Sequence, residues 1–248
     1  MRIPPQCLLV GLASLALGST SVTAAVLATY EFTGGSVSTT GVDPGITIST
    51  FHTSGGLGSV SYANGYADAS TANIAGTAGS PGSLSASITA GDYYEFTITP
   101  DSGSSITFDN LTFLAAYFNA AGGSVGDSYA TTSITYYLMA DIIGFTAADV
   151  IGSATKTGLQ NVTTWAAAAA AGNVQSLSID IANSAFASDF ENITGPVTFR
   201  LYVSDTNASG RNAAIDSVAL NGIVAVPEPS AALLGGLGSV LLLRRRRS

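Results

Sequence analysis

YYEFTITP, Tyr93–Pro100, alternates with a period of two: Tyr94, Phe96 and Ile98 fall on one face, and Tyr93, Glu95 and Thr97 fall on the other. Side chains point alternately to the two faces of an extended chain, so this pattern predicts a strand with one face in a core. The turn residues Pro100-Asp101-Ser102-Gly103 follow, and the chain returns as ITFDNLTFLAAYF, Ile106–Phe118. Ile106 and Phe108 are in one phase, Leu111 and Phe113 in the opposite one. The switch at Asp109-Asn110 predicts a bulge in the second strand of a hairpin.

The same period recurs in SITYYLMA (Ser133–Ala140), QSLSIDIA (Gln175–Ala182), VTFRLYVSD (Val197–Asp205) and IDSVALNGIV (Ile215–Val224). Clusters such as TSGGLGS, NAAGGSVGDS and SDTNASGRN separate the runs with turn chemistry. Short alternating strands at this spacing predict an all-β fold, an antiparallel β-sandwich of jelly-roll-like type. One segment departs from it. NVTTWAAAAAAGN, Asn161–Asn173, sets six alanines between a Thr cap and Gly172, which predicts a short helix covering one end of the sandwich. Val37–Ser87 is rich in Gly, Ser, Thr and Ala, with Phe51, Tyr62 and Tyr66 scattered through it. It reads as short strands and long loops.

The two ends differ from this middle. Residues 1–25 have the layout of a secretory signal helix: Arg2, an apolar stretch from Cys7 to Leu17, and Val22-Thr23-Ala24 as an A-x-A-like site. Cleavage is expected after Ala24 or Ala25, removing Cys7, so the mature chain is expected to lack thiols. A core drawn from about 200 residues is large enough to hold such a chain without disulfides.

The division is therefore a signal peptide at 1–25, a β-sandwich ectodomain at 26–224 and a tail at 225–248. Of the 16 acidic residues the middle keeps all but Glu228, and of the 8 basic ones it keeps Lys156, Arg200 and Arg211. Fifteen against three leaves a net −12, which repels phosphate backbones and excludes nucleic acid as a partner.

In the tail, Val226-Pro227-Glu228-Pro229 precedes 14 uncharged residues, Ser230–Leu243, and then Arg244, Arg245, Arg246 and Arg247. As a helix those 14 residues span about 21 Å, against roughly 30 Å of hydrocarbon. The leucines favour insertion by about 2–4 kcal/mol, and the glycines and serines erode it. A weak single-pass membrane anchor is expected, with the arginines as a cytoplasmic stop and the acidic domain outside. The two prolines hold Glu228 in an extended segment at the membrane face.

A Pro-Glu-Pro motif, a short apolar helix and a terminal Arg cluster, in that order, resemble the PEP-CTERM sorting signal of Gram-negative bacteria. The resemblance covers the last 23 residues. It implies transient anchoring in the inner membrane, recognition of Pro-Glu-Pro by an exosortase-type membrane protease, and removal of the tail. Signal peptidase and this protease are then partners during export, and the protein ends at the cell surface or outside the cell. The runs FRLYVSD and AIDSVALNG also resemble the closing strands of jelly-roll domains that such proteins carry.

Chemistry is sparse. His52 is the one histidine, so His-rich and thiolate zinc sites are excluded. Gly122-Gly123-Ser124-Val125-Gly126 fits G-x-S-x-G, but its flanks are not the strand and helix of a nucleophile elbow. Asp101, Asp109, Asp127 and Asp205 read as turn and bulge residues. Asn110, Asn161, Asn192 and Asn207 begin N-x-[ST] sequons, which in a bacterial protein are turn residues.

No cofactor is expected beyond a structural calcium, for which Glu31 on the first strand and Asp216 on the last are the candidate ligands. Tyr93, Tyr137 and Tyr202 lie opposite the core faces. The function expected is a structural or interaction role in the envelope or extracellular matrix. The alternative is a carbohydrate-binding module for surface glycans or exopolysaccharide, which requires aligned exposed tyrosines. A secreted hydrolase is a further alternative and requires a deep cleft with His52 or two carboxylates about 5–9 Å apart.

Overall fold

The computed structural model describes residues 24–53, 57, 67–70, 82–118, 132–158, 162, 164–205 and 212–226. The signal segment before Ala24, the tail from Pro227 onward, the G-x-S-x-G stretch, Tyr62 and Tyr66 lie outside the described residues. Among the described residues, no helix is long and apolar enough to cross a membrane.

The described strands are β1 (Ala25–Tyr30), β2 (Gly41–Val42), β3 (Ile46–Ile48), β4 (His52–Thr53), β5 (Ala67–Ser70), β6 (Tyr93–Pro100), β7 (Ser105–Phe118), β8 (Ser133–Ala140), β9 (Gly152–Thr157), β10 (Gln175–Asp180), β11 (Val197–Asp205) and β12 (Asn212–Ala225). They form two six-stranded sheets with antiparallel pairing throughout. Sheet A runs β10-β7-β12-β1-β2, with β5 beside the start of β12; sheet B runs β3-β6-β11-β8-β9, with β4 beside β6. The first strand and the last are neighbours in sheet A.

The alternation in the sequence is the alternation of burial: Tyr94, Phe96 and Ile98 are buried in β6, and Val197, Phe199, Leu201 and Val203 in β11. Their aromatic rings meet those of sheet A across the interior. Phe108 packs edge-on against Phe199 at 5.2 Å, Phe113 against Tyr136 at 5.1 Å, and Tyr30 lies 5.7 Å from Phe96. Inner faces that interdigitate this way make the single core of a sandwich.

Three sequence readings need correction. Tyr93–Pro100 and Ser105–Phe118 are not a hairpin: β6 belongs to sheet B and β7 to sheet A, so the turn between them arches from one sheet to the other. Both strands have long alternative partners, β11 for β6 and β12 for β7, and an arch lets both apolar faces point inward. The Ala-rich helix α2, Trp165–Ala170, forms with the expected cap, Thr164 Oγ1 accepting from Ala167 N at 3.2 Å. It covers the outer face of sheet A rather than an end of the sandwich, because Ala168 packs on Ala116 and Ala214, which face each other across β7 and β12. A second helix, α1 (Leu84–Ala90), lies in the stretch read as strands and loops.

The expected bulge is present. Asn221 pairs with Asn110 and Gly222 with Phe108, so Asp109 is the extra residue on β7, and its carbonyl accepts from Ile181 N at 2.8 Å and Ala182 N at 2.9 Å. Gly222 is required opposite it, since a Cβ there would lie 2.4 Å from Thr107 O.

Candidate functional site

The alternation that buries one face of sheet B leaves a polar and aromatic face outside, and strand register sorts it into rows. Tyr202 of β11 pairs with Tyr93 of β6 on one side and Tyr137 of β8 on the other, so the three tyrosines form one row. The next row is His52 of β4, Glu95, Arg200 and Met139. Beyond it Thr97 and Thr198 share a hydrogen bond of 3.0 Å. Cross-strand pairs of this kind stabilise a sheet and also fix what it presents.

Arg200 is the hub. Its Nε donates to Glu95 Oε2 at 2.6 Å and its Nη1 to Tyr202 Oη at 3.5 Å. Its guanidinium lies 4.3 Å from the Tyr93 ring centre and 3.9 Å from that of Phe145, clamped between two aromatic faces. The other oxygen of Glu95 meets His52 Nε2 at 2.9 Å. The His52 side chain is 53% exposed, against 26% for Arg200 and 16% for Glu95, so this chain of polar groups runs from a half-buried centre to an open rim. Burial alone would lower the Arg200 value, but hydrogen bonds to Glu95 and Tyr202 outweigh it and hold the guanidinium charged. Burial pushes the Tyr93 phenol up, against the nearby Arg200 charge.

Phe145 arrives from the turn after β8. Asp141 continues the ladder, its N–H donating to Thr198 O at 3.0 Å and its Oδ1 accepting from Thr198 N at 2.9 Å. Gly144 N donates back to Ala140 O at 2.9 Å, and Asp149 Oδ2 ties down Thr146 through its N and Oγ1 at 2.8 and 2.7 Å. The turn is thereby folded over the sheet. Nothing in the sequence marks Phe145, since it lies in a loop without period; Arg200 had one signal, a rare basic residue in an outward strand position.

Of the three expected tyrosines, Tyr93 and Tyr137 are half-buried and Tyr202 is buried, with the Tyr93 ring 5.0 Å away and edge-on. They are aligned as expected, but less open than the sequence phase implies. His52, on β4 beside β6, contacts Glu95 and, through Nδ1, Thr50 O at 3.4 Å.

Glu31 and Asp216 do come together. The second bulge of β12 lies between Asp216 and Ala219, where Ser217 adopts φ 49° and donates from Oγ to Glu31 Oε2 at 2.9 Å and from N to Asp216 Oδ1 at 2.7 Å. Burial pushes the Asp216 carboxyl up to about 6, the Ser217 N–H pulls the other way, and the charge of Glu31 adds to the rise. Among the described residues, no group of three His, Cys, Asp or Glu is placed to hold a metal. Two carboxylates leave most of a calcium shell of six to eight oxygens to backbone and water.

The signal-cleavage residues Ala24 and Ala25 are exposed, and Ala25 opens β1 opposite Gly222. Val226 is 55% exposed just beyond β12. Pro227, Glu228, Pro229 and the four arginines lie outside the described residues.

No protein-family model matches the chain, and no curated protein matches it. Among solved structures, it is similar to the K1 cleaved adhesin domain of Lys-gingipain from Porphyromonas gingivalis W83, with 13% identity and a TM-score of 0.31 over 80% of this chain and 98% of that one. It is also similar to the Stig cyclase Fisc from Fischerella sp. TAU, with 11% identity and a TM-score of 0.28 over 73% and 85% of the two chains.

Proposed function

We propose that this chain is an exported protein, sorted by an exosortase-type system to the cell envelope or extracellular matrix, where its sandwich has an interaction role. The interaction half is carried by one observation, the tyrosine row Tyr93–Tyr202–Tyr137 beside the His52–Glu95–Arg200 row on the outer face of sheet B. The sorting half rests on the sequence of the tail. The pairing of the first strand with the last supports a jelly-roll-like connectivity.

A second reading is a carbohydrate-binding module, in which the half-buried Tyr93 and Tyr137, flanked by charged and hydroxyl groups, would meet the apolar faces and hydroxyls of a sugar while the buried Tyr202 supports them from beneath. A non-enzymatic role is preferred to a hydrolase, given that His52 sits at an open rim. Calcium remains a structural candidate at Glu31 and Asp216.

Two measurements test this reading. Intact mass spectrometry of surface-extracted protein is expected to show both ends removed, and Arg244–Arg247 still attached would refute sorting. A glycan array probed with and without calcium is expected to give binding that Tyr137→Ala abolishes. Binding unchanged by that substitution would remove this face from the function.

A further inference from the structure

Lys156 is an unusual residue for a sandwich interior. It pairs with Ile134 of β8, which in turn lies beside Asp205 of β11, so Lys156, Ile134 and Asp205 form one inward row of sheet B. All three are buried, Lys156 being 3% exposed. Lysine is almost never fully buried unless its charge is paired. The hydrogen-bond partners of this amine are instead neutral: Thr157 O, Gly158 O at 3.2 Å and the side-chain Oδ1 of Asn173 at 2.6 Å.

Asn173 is itself 7% exposed and fixed from the other side, its Nδ2 donating to Tyr117 O at 3.0 Å. Since a C=O bond is about 1.2 Å long, the contact with Oδ1 places the amine no farther than about 3.8 Å from Asn173 Cγ. This upper limit lies just outside the roughly 3–3.5 Å at which two groups are held for reaction.

We propose that Lys156 and Asn173 form an intramolecular amide cross-link between β9, at the edge of sheet B, and the segment entering β10, at the edge of sheet A. The lone pair of neutral Nζ adds to Cγ, the Cγ–Nδ2 bond breaks, and one amine proton leaves with Nδ2 as ammonia. No oxidant, metal or cofactor is consumed. The product nitrogen keeps one hydrogen, which still has Gly158 O within reach.

Two features favour the step. Burial pulls the Lys156 amine below its ordinary value, which enriches the nucleophilic neutral form. The fixed geometry removes the entropy cost of bringing amine and amide together. The bond would close the open side of the sandwich, where β9 already lies so near β10 that a Cβ on Gly152 would come within 2.8 Å of Ile179 Cγ2. It goes beyond the sorting and interaction reading and is independent of it.

The full chain, purified folded and then denatured, is expected to weigh less than its sequence by one ammonia. Asn64-Gly65 and Asn221-Gly222 can lose ammonia as succinimides, so mass alone does not decide. Trypsin decides, because it does not cut after an acylated lysine. The denatured digest is expected to lack cleavage at Lys156 and to yield a peptide branched between Lys156 and Asn173, which tandem mass spectrometry reads directly.

Complete cleavage at Lys156 with an unbranched Asn173 peptide would overturn the proposal. Asn173→Ala is expected to restore the cut, and the wild-type digest stands alone should that variant fail to fold.

Discussion

Replacing Arg200 by alanine tests whether the outer face of sheet B is an organised surface or a set of unrelated side chains. The guanidinium faces Tyr93 at 4.3 Å and Phe145 at 3.9 Å, and contacts of this type contribute about 0.5–1 kcal/mol each. Its 2.6 Å contact with Glu95, partly shielded from water, adds about 0.5–1 kcal/mol. The aliphatic stem adds a little packing. Together these give about 2–3 kcal/mol, which for a domain of this size corresponds to a Tm lower by about 4–12 °C.

Thermal unfolding followed by near-ultraviolet circular dichroism is the assay, because Tyr93 and Tyr202 report on the same site. Arg200→Lys separates charge from plane. Lysine keeps the pair with Glu95 but cannot lie flat between two rings, so less than half of the lost stability is expected to return. An Arg200→Ala protein melting within about 1 °C of wild type, or full recovery by lysine, would refute the clamp.

Gly222→Ala drives a Cβ to 2.4 Å from Thr107 O, a backbone atom that cannot swing aside. A loss of about 1–3 kcal/mol is expected by thermal melting, and an unchanged Tm would mean the Asp109 bulge is misplaced. For calcium, millimolar ion at pH 7 is expected to raise the wild-type Tm and leave that of Asp216→Asn unchanged; identical wild-type melts with calcium and with chelator would remove the ion from Glu31 and Asp216.

Local signals were legible in the sequence wherever one residue decides one position. The phase switch around Asp109 located a bulge that exists, and Thr164 and Gly172 framed a helix that exists. Pairing was not legible in the same way. Tyr93–Pro100 and Ser105–Phe118 are separated by a turn suited to a hairpin, yet they lie in opposite sheets, because the choice of partner is made by β11 and β12, a hundred residues downstream.

Helix α1 was missed for a related reason. Ser83 caps it through Ala86 N at 3.2 Å and Gly91 ends it at φ 76°, but those signals sit in a stretch already crowded with Ser and Gly. Its position matters: Ser87 Oγ donates to Val203 O at 2.6 Å and Asp92 O accepts from Val203 N at 2.9 Å, so the segment continues the edge of β11 where β6 has ended. The candidate site followed the same rule. Outward phase identified its tyrosines, whereas the Arg200–Glu95 pair and the roof of Phe145 depend on register and on a loop.

The distribution of positive charge bears on what this surface can meet. The middle of the chain has three basic residues against fifteen acidic ones, and the two that are described are both engaged, one inside the fold and one on the outer face of sheet B. Lys156 is buried against carbonyl oxygens and Asn173, and Arg200 is held between two rings with its charge returned to Glu95.

Neither is a free cation for an anionic partner, and with fifteen acidic residues against three basic ones the net field of the middle is negative. An acidic polymer would be repelled at low salt unless a divalent ion bridged it, while a neutral glycan would meet no such penalty. Within the interaction reading, this favours neutral sugars over charged ones. It also makes the partly exposed Tyr93 and Tyr137, rather than any charge, the part of the surface expected to supply affinity.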